Sequence, residues 1–100
     1  MLARNSIKIK LVSKRRKRLE RIRQNPKNVS LEELRGILED YGFHYRQSVG
    51  SHYTFDYVLG NQTRLFVVPF RRPVKTVYVK RAIKLIDMLI QERDEDEADE

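Results

Sequence analysis

The apolar residues of this chain keep two different periods, and the order in which they follow one another fixes the fold class. Leu31, Leu34, Leu38 and Tyr41 recur at helical spacing, with Ile37 beside them. Ser30-Leu31-Glu32-Glu33 in front of them is a capping box, in which serine and glutamate can satisfy each other's orphan amides. Gly42 has the place of a C′ glycine, and Gly36 is read as a point of close approach to another backbone. From Phe43 the period becomes two: Phe43, Tyr45, Gln47 and Val49 share one face, and His44, Arg46 and Ser48 the other. Gly50-Ser51 reads as a turn or bulge, Tyr53–Leu59 as a second strand, Gly60-Asn61 as a hairpin turn and Leu65–Phe70 as a third strand. Pro69 suits the end of an edge strand, where no amide is needed. Val79, Ala82, Ile83, Ile86, Leu89 and Ile90 then return to the helical period, which predicts a helix over about 76–92. A short basic helix at Lys14–Gln24, with Leu19 and Ile22 on one side, precedes all of this and ends at Asn25-Pro26. The expected fold is α+β in the order α-β-β-β-α, a three-stranded antiparallel sheet with two helices on one face, plus the extra N-terminal helix. If strand parity carries through Gly50, His52 joins His44, Arg46, Thr54 and Asp56 on the polar, open face.

Charge divides the 100 residues into three stretches. Residues 1–27 carry eleven Lys or Arg against Glu20, a basic extension; residues 92–100 carry seven acids against Arg93, and read as a disordered tail. Both ends are expected to stay outside the core, which leaves 28–91 as the domain, a size at which burial is modest. Residues 1–13 alternate weakly at Ile7, Ile9 and Leu11, consistent with an edge strand or with no order. A net charge of +7 and a pI near 9.9 imply an anionic partner, nucleic acid before a membrane surface. The longest apolar run, Leu65 to Phe70, falls far short of the roughly 20 residues of a membrane span, and no secretory signal is expected. The chain has no cysteine, which excludes disulfides and thiolate metal sites and fits the cytoplasm.

Few side chains here can move a proton near neutral pH. Histidine titrates at about 6.5 in water, and the chain has two, His44 and His52. His44 has no motif around it and reads as a solvated strand position. His52, in Gly50-Ser51-His52-Tyr53-Thr54-Phe55, is an imidazole among cations, suited to the attack of an RNA 2′-hydroxyl on its own phosphate. The plainer reading is a strand histidine that satisfies its ring by hydrogen bonds. No metal and no small-molecule cofactor is expected, since Asp56 and Asp87 have nothing near them at ligand spacing.

The stretches ERIRQNPKNVSLEELRGILEDYGF, GSHYTF and FVVPFRRPVKTVYVKRAIKLIDML, in this order and spacing, resemble the HicA family of toxin endoribonucleases. The resemblance runs from Asn25 to Ile90 and covers about two-thirds of the chain. It implies a fold like the double-stranded RNA-binding domain, cleavage of mRNA, and neutralisation by a HicB-like antitoxin protein. The family's catalytic histidine in Gly-x-His falls on His52. There is one departure: many relatives carry a second histidine just after the Val-Pro-aromatic element, where this chain has Arg71.

Around that centre, Gly50 is expected to allow the turn that presents His52, and Ser51 to satisfy local backbone or bond a phosphate oxygen. Arg46, Arg71, Arg72, Lys75 and Lys80 are candidate RNA contacts, Arg71 and Arg72 foremost because their loop adjoins the strand end. Lys14–Arg18 reads as a nonspecific electrostatic patch. Tyr53, Phe55 and Tyr57 share parity with Val49 and read as core rather than as base-stacking residues. The expected function is therefore a metal-independent toxin endoribonuclease with His52 as general acid/base. The alternative is a non-catalytic RNA-binding module of the same fold. A DNA-binding or structural adaptor built on the basic helix ranks last.

Overall fold

The computed structural model describes residues 14–98; Ile7, Ile9, Leu11 and the last two acids lie outside them. Helix α1 spans 14–24, α2 Leu31–Asp40 and α3 Thr76–Ala98, and strands β1 (His44–Val49), β2 (His52–Leu59) and β3 (Gln62–Pro69) form one antiparallel sheet in the order β1-β2-β3. The chain is thus α+β with three helices and three strands.

Local signals account for most boundaries. At the start of α2, Ser30 is extended (φ −77°, ψ 160°) and its Oγ accepts from the Glu33 N–H at 3.0 Å. The reciprocal half of the expected capping box is replaced, because the Glu33 carboxylate instead faces the Arg21 guanidinium of α1 at 3.4 Å. At its end, Gly42 (φ +95°) donates to the Glu39 carbonyl at 3.1 Å and Phe43 to the Leu38 carbonyl at 3.0 Å. This pair of bonds is the Schellman arrangement, which needs the left-handed residue that glycine supplies without strain.

Gly36 departs from expectation. A Cβ built there meets nothing within 4 Å, and the position opens on a groove between α1 and α2 lined by Arg18, Arg21 and Glu33. No close backbone approach requires a glycine. Gly36→Ala is therefore expected to stabilise the fold by about 0.5–1 kcal/mol through helix propensity and unfolded-state entropy. Urea titration checks this, and a lowered midpoint would mean that the groove does not tolerate a methyl group.

One core joins all three helices to one face of the sheet. Phe55, Tyr57, Phe66 and Val68 point into it from the strands, with Leu34, Ile37 and Leu38 from α2 and Val79, Ala82, Ile86 and Leu89 from α3. Phe43 stacks on Tyr57 with ring centroids 4.8 Å apart. Phe55 and Tyr57 are buried and Tyr53 packs against the cluster half-buried, as expected, although the shared parity with Val49 behind that expectation fails, because Val49 pairs with His52. The basic segment 14–24, by contrast, does not stay outside. Leu19 and Ile22 are each only 3% exposed and belong to the same cluster. The charges that made the segment look solvated in fact dock it: Arg18 meets Asp40 at 2.8 Å, and Arg23 grips both Asp87 oxygens of α3 at 2.9 and 3.0 Å. Hydrogen bonding to Asp87 raises the Arg23 pKa above its ordinary value, so that guanidinium stays charged. Each pair is solvent-exposed and contributes at most about 1 kcal/mol, so they orient α1 while its two apolar residues hold it.

The acidic segment also differs from its reading as a disordered tail. α3 passes Glu92 and continues to Ala98. The Glu92 carboxylate accepts from the Gly60 N–H at 2.9 and 3.0 Å, and Arg93 Nη2 donates to the Tyr41 carbonyl at 3.4 Å. These bonds tie the helix to the β2–β3 turn and to the end of α2. Among the described residues no helix is long and apolar enough to cross a membrane.

Candidate active site

Two tight hairpins bring distant segments to one end of the sheet. Val49 pairs with His52 across Gly50-Ser51, a two-residue turn with Gly50 at φ +60°. Positive φ at the first central position matches the strand twist, which is why glycine stands there. On its other side His52 pairs with Pro69, the last residue of β3, and the next amide, Phe70 N–H, donates to the Ser51 carbonyl at 2.6 Å. The β1–β2 turn and the exit of β3 therefore form one rim. His52 heads β2 on this rim, and Phe70-Arg71-Arg72 leaves beside it.

His52, Gly50, Ser51, Arg71 and Arg72 are all exposed. Neither the His52 ring nor the Arg71 guanidinium has a hydrogen-bond or ion-pair partner among the described residues. Arg72 lies 3.9 Å from Glu32 and 5.5 Å over the Phe70 ring, and the bond from Val74 N–H to the Val29 carbonyl (2.9 Å) anchors the loop that follows. An imidazole with no partner among the described residues, on an accessible rim that also carries two arginines, can bind a phosphodiester and exchange a proton with it.

The register places His52, Thr54, Asp56 and His44 on the open face, as expected, although parity does not carry through Gly50: Val49 pairs with His52 across the two-residue turn, and a bulge earlier in β1 compensates. Pairing shifts between Tyr45 and Gln47: Tyr45 faces Phe55, but Gln47 faces Thr54, leaving Arg46 as the extra residue of a bulge. Gln47 therefore does not share a face with Tyr45, and the simple alternation expected for β1 fails there. Arg46 lies 3.7 Å from Asp56, so its charge is already partly balanced. Nor is the open face purely polar: Val58, Leu65 and Val67 are exposed on it.

Not all the candidate residues gather here. Lys75 is exposed in the loop before α3 without a side-chain partner among the described residues, and Lys80 lies on the solvent side of α3, behind the sheet, away from the open face. In the basic patch, Lys14, Arg16 and Lys17 are unpaired among the described residues, whereas Arg15 donates to the Asp40 carbonyl at 3.0 Å. His44 pairs with Asp56, four residues along β2 from His52. At about 3.3 Å per residue this is roughly 13 Å, so the two histidines cannot flank one phosphate. Among the described residues no three His, Cys, Asp or Glu side chains gather as metal ligands. Sequence reasoning missed Phe70 as part of this rim; its place there follows from the Ser51 bond, which no local pattern announces.

No family model matches the chain, and neither a curated protein nor a solved structure matches it. The reading of the rim rests on its own residues and geometry.

Proposed function

We propose that the chain is an endoribonuclease toxin of the HicA type, with a fold like the double-stranded RNA-binding domain, acting on mRNA in the cytoplasm. The observation that carries this reading is the exposed His52, without a partner among the described residues, on a rim shared with Arg71 and Arg72. In the reaction, the ribose 2′-oxygen attacks the adjacent phosphorus and the P–O5′ bond breaks, which leaves a 2′,3′-cyclic phosphate and a 5′-hydroxyl. One proton leaves the 2′-hydroxyl and one reaches the departing O5′; His52 carries one of these transfers, while Arg71 and Arg72 balance the charge on phosphate. The chemistry calls on no metal or cofactor. A HicB-like antitoxin is the proposed partner, and the open sheet face with Val58, Leu65 and Val67 is a surface it would cover.

The test is incubation of the purified chain with mRNA in EDTA. Cleavage to cyclic-phosphate ends is expected, and RNA methylated at every 2′-oxygen should stay intact; efficient cutting of the methylated RNA would overturn the mechanism. Arg71, in the place of a second histidine, favours a second reading, a module that binds RNA without cutting it. Binding with no cleavage by the unaltered chain would select that reading.

A further inference from the structure

Phe70 is a large aromatic left 45% exposed at the exit of β3. Single exposed apolar residues are common and need no explanation, but this one has a bonded amide and two side chains against its ring. Its amide is bonded to the Ser51 carbonyl at 2.6 Å. Tyr53 stacks behind it, with centroids 5.9 Å apart and planes 26° apart, and the Arg72 guanidinium lies 5.5 Å from its centroid. Packed against Tyr53 and Arg72, the ring loses less rotamer freedom than an isolated one when a base stacks on its exposed part, which is the preorganisation a stacking platform needs.

From these contacts we propose that Phe70 is the stacking platform for one nucleobase of single-stranded RNA, the base next to the phosphate held at His52. This rests on the RNA-cleaving reading and deepens it. The register supplies the adjacency, because Phe70 is bonded across to Ser51, the neighbour of His52. The ring shares the helix-side face with Tyr53, whereas His52 belongs to the open face, so the two flank the rim. An RNA strand crossing the rim sets its phosphate against His52 and Arg71 and turns the adjacent base onto Phe70. Arg72 serves both parts, with its plane near the ring and its charge near the backbone. Stacking of this kind accepts any base, since every base has a π-face.

The experiment uses the full chain and a short RNA, methylated at every 2′-oxygen so that it cannot be cut, with binding read by fluorescence anisotropy. Phe70→Leu is expected to weaken binding about tenfold or more, and Phe70→Trp to restore it. In the unaltered chain the Phe70 ring protons should move upfield in the NMR spectrum as RNA is added, a readout that needs no variant to fold. His44→Ala, four residues along β2 from the rim, should bind as the unaltered chain does. Unchanged binding by Phe70→Leu, or ring resonances that do not move while RNA binds, would overturn the platform, and cleavage of ordinary RNA would then still stand. No RNA binding by the unaltered chain would overturn both. Binding lost in Phe70→Leu with no cleavage by any form would keep the platform and remove the nuclease.

Discussion

His52→Ala is expected to lower the rate of RNA cleavage by about 10²–10⁴-fold, the usual contribution of a positioned general acid or base. The fold should not register the change. His52 is exposed at the head of β2 and has no side-chain partner among the described residues, so its loss opens no cavity and strands no buried polar group. RNA binding should weaken far less than cleavage, because Arg71 and Arg72 still meet the phosphate charge. The histidine that remains cannot substitute: His44 lies opposite Asp56, roughly 13 Å along β2 at strand spacing. His44→Ala is the matched control and should cut at the rate of the unaltered chain. Cleavage undiminished in His52→Ala, with the melting temperature unchanged, would remove the imidazole from the mechanism.

The second large effect concerns α1. Ile22→Ala should cost about 2–5 kcal/mol, since it removes a nearly fully buried side chain from the shared core. A domain this small has about 5–15 kcal/mol to lose, so the variant should show a sharply lowered urea midpoint and a visible unfolded population near body temperature. The contrast is with the ion pairs that dock the same helix. Asp87→Asn, which breaks the exposed Arg23 grip, should cost no more than about 1 kcal/mol. If Ile22→Ala were as mild as Asp87→Asn, α1 would be an appendage held by charge, and its removal would leave a folded domain.

The candidate site was legible in the sequence where it depends on residue type beside a turn. Gly50 before His52, and two arginines after a strand that ends in proline, are local facts, and the rim contains them all. Arg46 and Lys80 were not separable in that way. Their charge is visible in the sequence, but the bulge that turns one toward Asp56 and the packing that sets the other behind the sheet are not. Phe70 was hidden for a related reason: no local pattern shows that its amide meets Ser51 and that its ring stays half exposed beside the β1–β2 turn.

By itself the order of residues determined the alternation of helix and strand, the hairpin turns, the capping serine and the glycine that closes α2. Each of these is decided by interactions within a few positions along the chain, where side-chain spacing and backbone sterics act directly. Tertiary structure alone decided that α1 enters the core, that α3 continues through its acids to Ala98, and that β1 slips by one residue at Arg46. Those outcomes depend on partners far apart in the chain: Arg23 with Asp87, Glu92 with Gly60, Gln47 with Thr54. Such contacts form only once the chain has closed, so no local period carries them.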